Sequence, residues 1–167
     1  MINGMVTVRS KSTRLLNKCN LPFGNQTVLE HVIHRAKHFG IDPIVCTTVE
    51  SEDEVIEKIA IKHNVRYYRG SVKDKLVRWR NACREHNVER FVSVDADDLF
   101  FDGELSHKSL SKLGDSFDLI THSALQPYGG FYEGCVGYSL TSEIIERACD
   151  IKKDEDTEMM WRFIQEV

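Results

Sequence analysis

Apolar residues in this chain follow two alternating patterns. Short runs are apolar at almost every position, and longer stretches are apolar only at three- and four-residue intervals. The first pattern reads as strands buried on both faces, the second as helices with one inward face. Met5-Val6-Thr7-Val8 is a first strand. Thr27-Val-Leu-Glu30 has the spacing of a capping box, the Thr27 hydroxyl and the Glu30 carboxylate closing a helix's first turn. That helix carries Val28, Leu29, Val32, Ile33 and Ala36 on one face and ends at Gly40. Pro43 to Thr47 is a buried strand. Ser51-x-x-Glu54 predicts the cap of a second helix, with Val55 and Ile59 inward and Ile56 as a further candidate. Val65 to Tyr68 is a short strand. Ser71-x-x-Asp74 opens a third helix with Leu76, Trp79, Ala82 and Cys83 as its stripe.

The alternation continues. Phe91 to Val94 is a strand, a helix begins near Glu104, and Asp118 to Thr121 is another strand. Cys135 to Leu140 holds a further strand and Ser142 to Cys149 a helix. The last segment sets Met160, Phe163, Ile164 and Val167 at intervals of three or four beside Met159, an apolar face that needs a cover. The core or a second copy of the chain would supply one. Strands alternating with helices predict an α/β fold, a mostly parallel central sheet with flanking helices. No repeat, low-complexity tract or linker interrupts it, so residues 1–167 read as a single domain.

Composition narrows the class. The chain is 41% hydrophobic and 29% charged, a folded globular balance, and 167 residues suffice for one core. A net charge of −4 argues against a nucleic-acid coat, so an anionic ligand must be met by a local cluster of cations. No apolar run approaches the ~20 residues that span a bilayer, and the N-terminus lacks a signal core. The expectation is a cytoplasmic protein with no membrane insertion. Cys19, Cys46, Cys83, Cys135 and Cys149 are scattered without a C-x-x-C pair, which speaks against a zinc site or disulfide framework. Cys46 and Cys83 read as small buried side chains.

In parallel sheets, ligands bind beyond the carboxyl ends of the strands. Two chemically distinctive segments fall there. Val8 to Lys18 carries Arg9, Lys11, Arg14 and Lys18 with the hydroxyls of Ser10, Ser12 and Thr13. Val94 to Asp98 carries Asp95, Asp97 and Asp98. Cations and hydroxyls suit a polyphosphate, and clustered carboxylates suit the Mg²⁺ that accompanies it. A solvated charge run, or turn and N-cap chemistry, would explain either segment alone. Their joint placement favours the functional reading. The chain has no Walker-type loop and no G-x-G-x-x-G fingerprint, which excludes a P-loop and leaves a dinucleotide fold unsupported. Trp79 reads as core. His31, His34 and His38, at helical spacing, read as a solvated or half-buried face rather than a metal stripe, and Lys152 to Asp156 as a polar connection.

These segments bear a family resemblance. Arg9-Ser-Lys-Ser12-Thr-Arg14-Leu-Leu-Asn-Lys18 resembles the Ala-Arg-x-Gly-Ser-x-Arg-Leu-Pro-Gly-Lys loop of the sugar-acid cytidylyltransferases. That family includes the 3-deoxy-octulosonate and acylneuraminate enzymes and their spore-coat polysaccharide relatives. Leu21 to Gly24, Val28 to Ile33, Ile44 to Thr48, Arg69-Gly-Ser71-x-x-Asp74-x-Leu-x-Arg78, Val94 to Asp102 and Pro127-Tyr-Gly129 with Glu133 are similar to later family segments, in order. The likeness fades beyond Ala148. Lys11 stands at a family glycine, Leu16-Asn17 at Pro-Gly, and Ala96 and Asp98-Leu99 at Gly and Cys-Pro.

The resemblance implies a GT-A-type, Rossmann-like nucleotidyltransferase domain. It would activate a sugar acid with CTP as a CMP-sugar for surface polysaccharide, releasing pyrophosphate. Arg9 and Lys18 would hold the triphosphate and serve catalysis. Val8, Ser12 and Arg14 would assist, and Asp97 would be the catalytic Mg²⁺ ligand. Asp95 would either ligate the metal or accept from the cytosine amino group. Asp98 and Asp102 would shape the loop. Thr47 and Arg69 would line the base and ribose. Pro127, Gly129 and Glu133 would face the acceptor, with Tyr128, Phe131 and Tyr132 suited to a sugar face. The family tends to dimerise, so a homodimer is expected. The family also continues past the point matching Val167 and supplies a second acidic ligand there. This chain is therefore expected to bind nucleotide better than it turns it over. A GT-A glycosyltransferase using Asp95-x-Asp97 is a second reading, disfavoured by the basic loop, and a non-catalytic nucleotide-binding domain is a third.

Overall fold

The computed structural model describes residues 1–11, 15–114, 116–121 and 136–167. Its elements run β1 (Ile2–Thr7), β2 (Pro22–Phe23), β3 (Gln26–Thr27), α1 (Val28–His38), β4 (Ile41–Thr48), α2 (Glu54–Lys62), β5 (Arg66–Gly70) and α3 (Lys75–His86). Then follow β6 (Arg90–Asp95), α4 (Gly103–Leu110), β7 (Leu119–Ile120), β8 (Ser139–Thr141), α5 (Ser142–Ile151) and α6 (Trp161–Ile164). Six strands form one sheet in the order β5-β4-β1-β6-β8-β7, and β2 and β3 form a separate hairpin. β5, β4, β1 and β6 are mutually parallel, while β8 is antiparallel to both neighbours. The predicted mostly parallel α/β sheet is the observed one.

Both faces of the sheet are covered, which is why its strands are apolar at successive positions. Val6, Val45, Val92 and Val94 face α1, α2 and α4, packing with Leu29, Ile33, Ile56 and Leu110. Met5, Ile44, Cys46 and Phe91 face α3 and α5, packing with Leu76, Trp79, Ile144 and Ile145. Trp79 is fully buried, as predicted, and its indole N–H donates to the Thr7 hydroxyl at 2.8 Å.

Local chemistry sets the helix ends. The Thr27–Glu30 capping box forms in both directions, with the Thr27 N–H donating to Glu30 at 2.8 Å. Gly40, at φ +69°, ends the segment after α1 in a conformation that glycine adopts without strain. The predicted Ser51 box does not form. Residues Ser51–Asp53 make a 3₁₀ turn, and the Ser51 hydroxyl turns to Glu52. The rotation that results points Val55 outward at 39% exposure and buries Ile56, Ile59 and Ala60.

The terminal apolar face is covered within the chain. Met160 and Ile164 are buried against the α3 and α5 side of the core, whereas Met159 and Val167 stay exposed. The preceding segment is pinned by Asp74, the N-cap of α3. Its carboxylate accepts from Val77 N–H at 3.0 Å, from the Thr157 hydroxyl at 2.8 Å and from Lys152 Nζ at 2.5 Å. Lys152, read from sequence as part of a polar connection, is instead a nearly buried partner: both side chains are only 10% exposed.

Removing one member of such a buried pair strands the other charge, but without Lys152 the Asp74 carboxylate keeps the Val77 N–H and the Thr157 hydroxyl, whereas without Asp74 the ammonium keeps only the Asp154 carbonyl among the described residues. Asp74→Ala, which also removes a cap, is expected to cost about 2–4 kcal/mol. Lys152→Met is expected to cost much less. Urea unfolding of both variants checks the order, and equal midpoints would refute it.

Candidate functional site

β1 and β6 are adjacent and parallel, in a register that sets Thr7 opposite Asp95. Their exits lie side by side, and the Ala96 N–H donates to the Thr7 carbonyl at 3.1 Å. The basic and the acidic segments therefore meet at one sheet edge, as the sequence pattern predicts.

Lys18, in a short 3₁₀ turn after the loop, donates to the Asp97 carboxylate. Two of the three residues predicted as catalytic are thus in direct contact. Asp97 is half-exposed. Asp95, two residues earlier and also exposed, pairs with Lys75 Nζ at 3.3 Å. Lys75 is 9% exposed in its side chain and lies 5.0 Å above the Trp79 ring. Sequence reasoning missed it, because a lysine in the first turn of a helix ordinarily reads as solvated. Among the described residues no cation pairs with Asp98. Burial, with Asp95 and Asp97 nearby, pushes its carboxyl up to about 6. Asp102 shapes the loop as predicted, capping α4 through the Leu105 N–H at 2.9 Å.

The third predicted catalytic residue, Arg9, pairs with Glu158 from the C-terminal segment, at 3.2 Å. Lys11 is turned away from the site toward Glu50 at 2.7 Å and Glu52 at 3.3 Å. Those glutamates raise its pKa, while Lys11 itself stays exposed. Asn17 has φ 53°, so it takes the left-handed conformation where the family places glycine, as asparagine tolerates. The loop's floor is Asp53, which carried no sequence signal. It is 1% exposed and accepts from the Ser10 N–H at 2.7 Å and from the Thr48 N–H and hydroxyl. These hydrogen bonds lower its pKa even though burial works the other way.

Three further residues named from the sequence are engaged by the fold itself. Thr47 is fully buried, so it lies under the site and lines no open surface. Arg69 is engaged throughout by protein: Nε on the Thr48 carbonyl at 3.0 Å, Nη1 on Glu57 at 2.8 Å and Nη2 on the Glu50 carbonyl at 2.8 Å. It fastens β4 and the turn after it to α2. Val8 is a core residue at 4% exposure whose N–H bonds the Cys46 carbonyl, so it fixes the strand end. Ser12, Arg14, Pro127, Tyr128, Gly129, Phe131, Tyr132, Glu133 and Cys135 lie outside the described residues.

Two members of the histidine stripe, His31 and His34, join a hydrogen-bonded chain with Gln26 and His63. His31 Nε2 donates to the Leu99 carbonyl at 2.9 Å, leaving Nδ1 to accept from Gln26. Gln26 Oε1 accepts from His34 Nδ1 at 2.6 Å, and His34 Nε2 is hydrogen-bonded to His63 Nδ1 at 3.1 Å. The other nitrogen of His63 donates to the Glu30 carboxylate at 2.8 Å. Lys62 adds a third donor to Glu30 beside the capping bond. No group of three or more His, Cys, Asp or Glu side chains among the described residues could hold a metal by itself. No helix of the described residues is long and apolar enough to cross a membrane.

Comparison with known proteins agrees with this geometry. A family model described as cytidylyltransferase matches residues 4–157. An uncharacterised protein of Methanocaldococcus jannaschii is 32% identical over 123 residues, 72% of this chain and 51% of the relative. The spore coat polysaccharide biosynthesis protein SpsF of Bacillus subtilis is 28% identical over 107 residues, 60% of this chain and 45% of the relative. The chain thus spans about half the length of these curated relatives. The structure of a cytidylyltransferase from Leptospira borgpetersenii superposes with a TM-score of 0.83 at 22% identity, covering 98% of this chain and 71% of that one.

The Glu30 cluster has a pH signature. Lys62, then His63 and the Thr27 N–H hold its carboxyl well below the usual range. The folded pKa is lower than the unfolded one. Its stabilisation is therefore present above the unfolded value, about 4.3, and is lost as pH falls below that. Glu30→Gln is expected to lower stability at pH 7 and to flatten the acid limb of a stability–pH profile. A mutant profile parallel to wild type from pH 7 to pH 3 would refute this.

Proposed function

The chain belongs to the cytidylyltransferase family, and from that premise we propose that it transfers a cytidylyl group from CTP to a sugar acid, releasing pyrophosphate. The observation that carries the reading is the Lys18–Asp97 contact between the two strand-end loops. It joins a cation suited to phosphate with a carboxylate suited to a hard metal ion. In the reaction, an acceptor hydroxyl oxygen bonds to the α-phosphorus and the α–β bridging bond breaks. The hydroxyl proton leaves to water, and the electron pair departs on pyrophosphate. Positioning and charge neutralisation supply most of the rate in such transfers.

Lys18 exchanges its carboxylate partner for a phosphate oxygen, and Arg9 holds the triphosphate beside it. The residues fit Mg²⁺: Asp97 and Asp95 are half-exposed hard donors two positions apart, and this ion takes one or two carboxylates together with phosphate oxygens. When bound, the ion neutralises charge on the departing pyrophosphate. The sugar acid and a role in surface polysaccharide rest on the resemblance of the loops and on the printed name of the Bacillus relative. A cytoplasmic setting, where CTP is available, completes the reading. Homodimerisation rests on the family alone, because the terminal apolar face has its cover within the chain.

The test measures binding of CTP, other nucleoside triphosphates and nucleotide sugars with Mg²⁺, and pyrophosphate release with a panel of sugar acids. CTP is expected to bind in preference to the rest. Lys18→Ala and Arg9→Ala are expected to weaken CTP binding about tenfold or more, as loss of a charge-assisted contact does, with little change in melting temperature. Asp97→Asn is expected to remove the Mg²⁺ dependence. Unchanged CTP affinity in all three variants, or preference for a nucleotide sugar, would refute the assignment.

A further inference from the structure

A second arginine lies near Arg9. Arg78, the fourth residue of α3, is 1% exposed. Its Nη1 donates to the Ser71 carbonyl at 2.6 Å, while Nε and Nη2 are buried with no hydrogen-bond partner among the described residues. A guanidinium buried with two nitrogens unsatisfied is costly and is ordinarily matched by an anion. Burial lowers its pKa, Glu158 acts to raise it again, and Arg9 adds to the lowering.

Glu158 shows the complementary defect. Its Oε1 stands 3.2 Å from Arg9 Nη1, yet that oxygen is buried without a properly formed hydrogen bond. Its backbone is held in place from the preceding residue. The Thr157 N–H donates to the Lys73 carbonyl at 3.2 Å, and the Thr157 hydroxyl accepts from the Leu76 N–H at 3.0 Å. Two arginines thus share the field of one carboxylate that satisfies neither. A phosphate group offers more oxygens and more charge to the same donors, in the geometry guanidinium groups favour.

We propose that the phosphate site extends to Arg78, and that Glu158 is a built-in competitor which holds Arg9 in the ligand-free chain and is displaced by an incoming polyphosphate. The inference rests on the nucleotide reading above. In the bound form Arg9 and Arg78 converge on phosphate oxygens, and the half-exposed Glu158 swings toward water.

Calorimetric titration separates the possibilities, with two probes: inorganic pyrophosphate without metal, and CTP with Mg²⁺. Glu158→Gln is expected to tighten both about two- to fivefold, the worth of a half-exposed ion pair removed from the competing state. Arg78→Met is expected to weaken both at least tenfold, and Arg78→Lys, which keeps the charge, to recover part of the loss. A purely structural Arg78 would leave the affinity of the folded fraction unchanged in both variants, which overturns the proposal. If Arg78→Met does not fold, Glu158→Gln alone decides, because its effect has a sign. Unchanged binding overturns the proposal. So does weaker CTP binding with unchanged pyrophosphate binding, the mark of a metal ligand. Wild-type chain that binds neither probe would refute the nucleotide reading and this inference with it; wild-type binding without tightening in Glu158→Gln refutes the inference alone.

Discussion

The pairing of β1 with β6 is the constraint on which the rest depends. Because the two strands run parallel, both leave the sheet at the same edge, and the register of Thr7 against Asp95 fixes how far each exit lies from the other. The register is enforced by packing. Met5 must face Trp79 and its neighbours while Val6 faces the α1 side, so a slip of one residue would exchange the two layers. The alternation that builds the core therefore also brings Lys18 to Asp97.

Electrostatics then determines what this edge can tolerate. Asp95, Asp97 and Asp98 crowd three carboxylates into four residues. Two are offset by lysines from different parts of the chain, Lys18 from the loop after β1 and Lys75 from the start of α3. The third is half-buried, pairs with no cation among the described residues and has its carboxyl pushed up to about 6. Lys75 lies over Trp79, whose indole N–H is bonded to Thr7, so the largest core side chain supports one of the site's two lysines. Core and site share residues here, which is why α3 matters to both.

What the sequence made legible was local or periodic. The parallel strands, the Thr27–Glu30 box and the stripe of α3 are patterns within a few residues and appear near where the spacing puts them, whereas the strand expected at Cys135 to Leu140 is the shorter Ser139–Thr141. The Ser51 box failed because Asp53 was drawn under the first loop to serve Ser10 and Thr48, a long-range demand that turned the helix start into a 3₁₀ turn. The roles of Lys75 and Asp53 and the burial of Lys152 and Arg78 were invisible for the same reason: they depend on partners far along the chain, and each type ordinarily lies in solvent. Thr47 and Arg69 were placed by resemblance at the right end of the right strands. Resemblance fixes a residue's address in the fold, but not what its side chain is committed to: Thr47 is fully buried, and Arg69 is held by Thr48, Glu50 and Glu57.

The first loop is therefore less cationic than its composition suggests. Arg9 faces Glu158, Lys11 faces Glu50 and Glu52, and Lys18 faces Asp97. A chain of net charge −4 has acids to spare, and it has used them on its own basic residues. On the reading proposed above, an incoming phosphate would find Arg9, Lys11 and Lys18 already paired and would exchange partners with them. Affinity at this edge is then a difference between two sets of ion pairs of similar kind, and small changes in the internal acids weigh on it as heavily as changes in the cations. Those acids come from three places, the β4–α2 turn, the loop after β6 and the C-terminal segment anchored by Asp74. The strength of the site is thus set by elements that share little with one another except the strand end they surround.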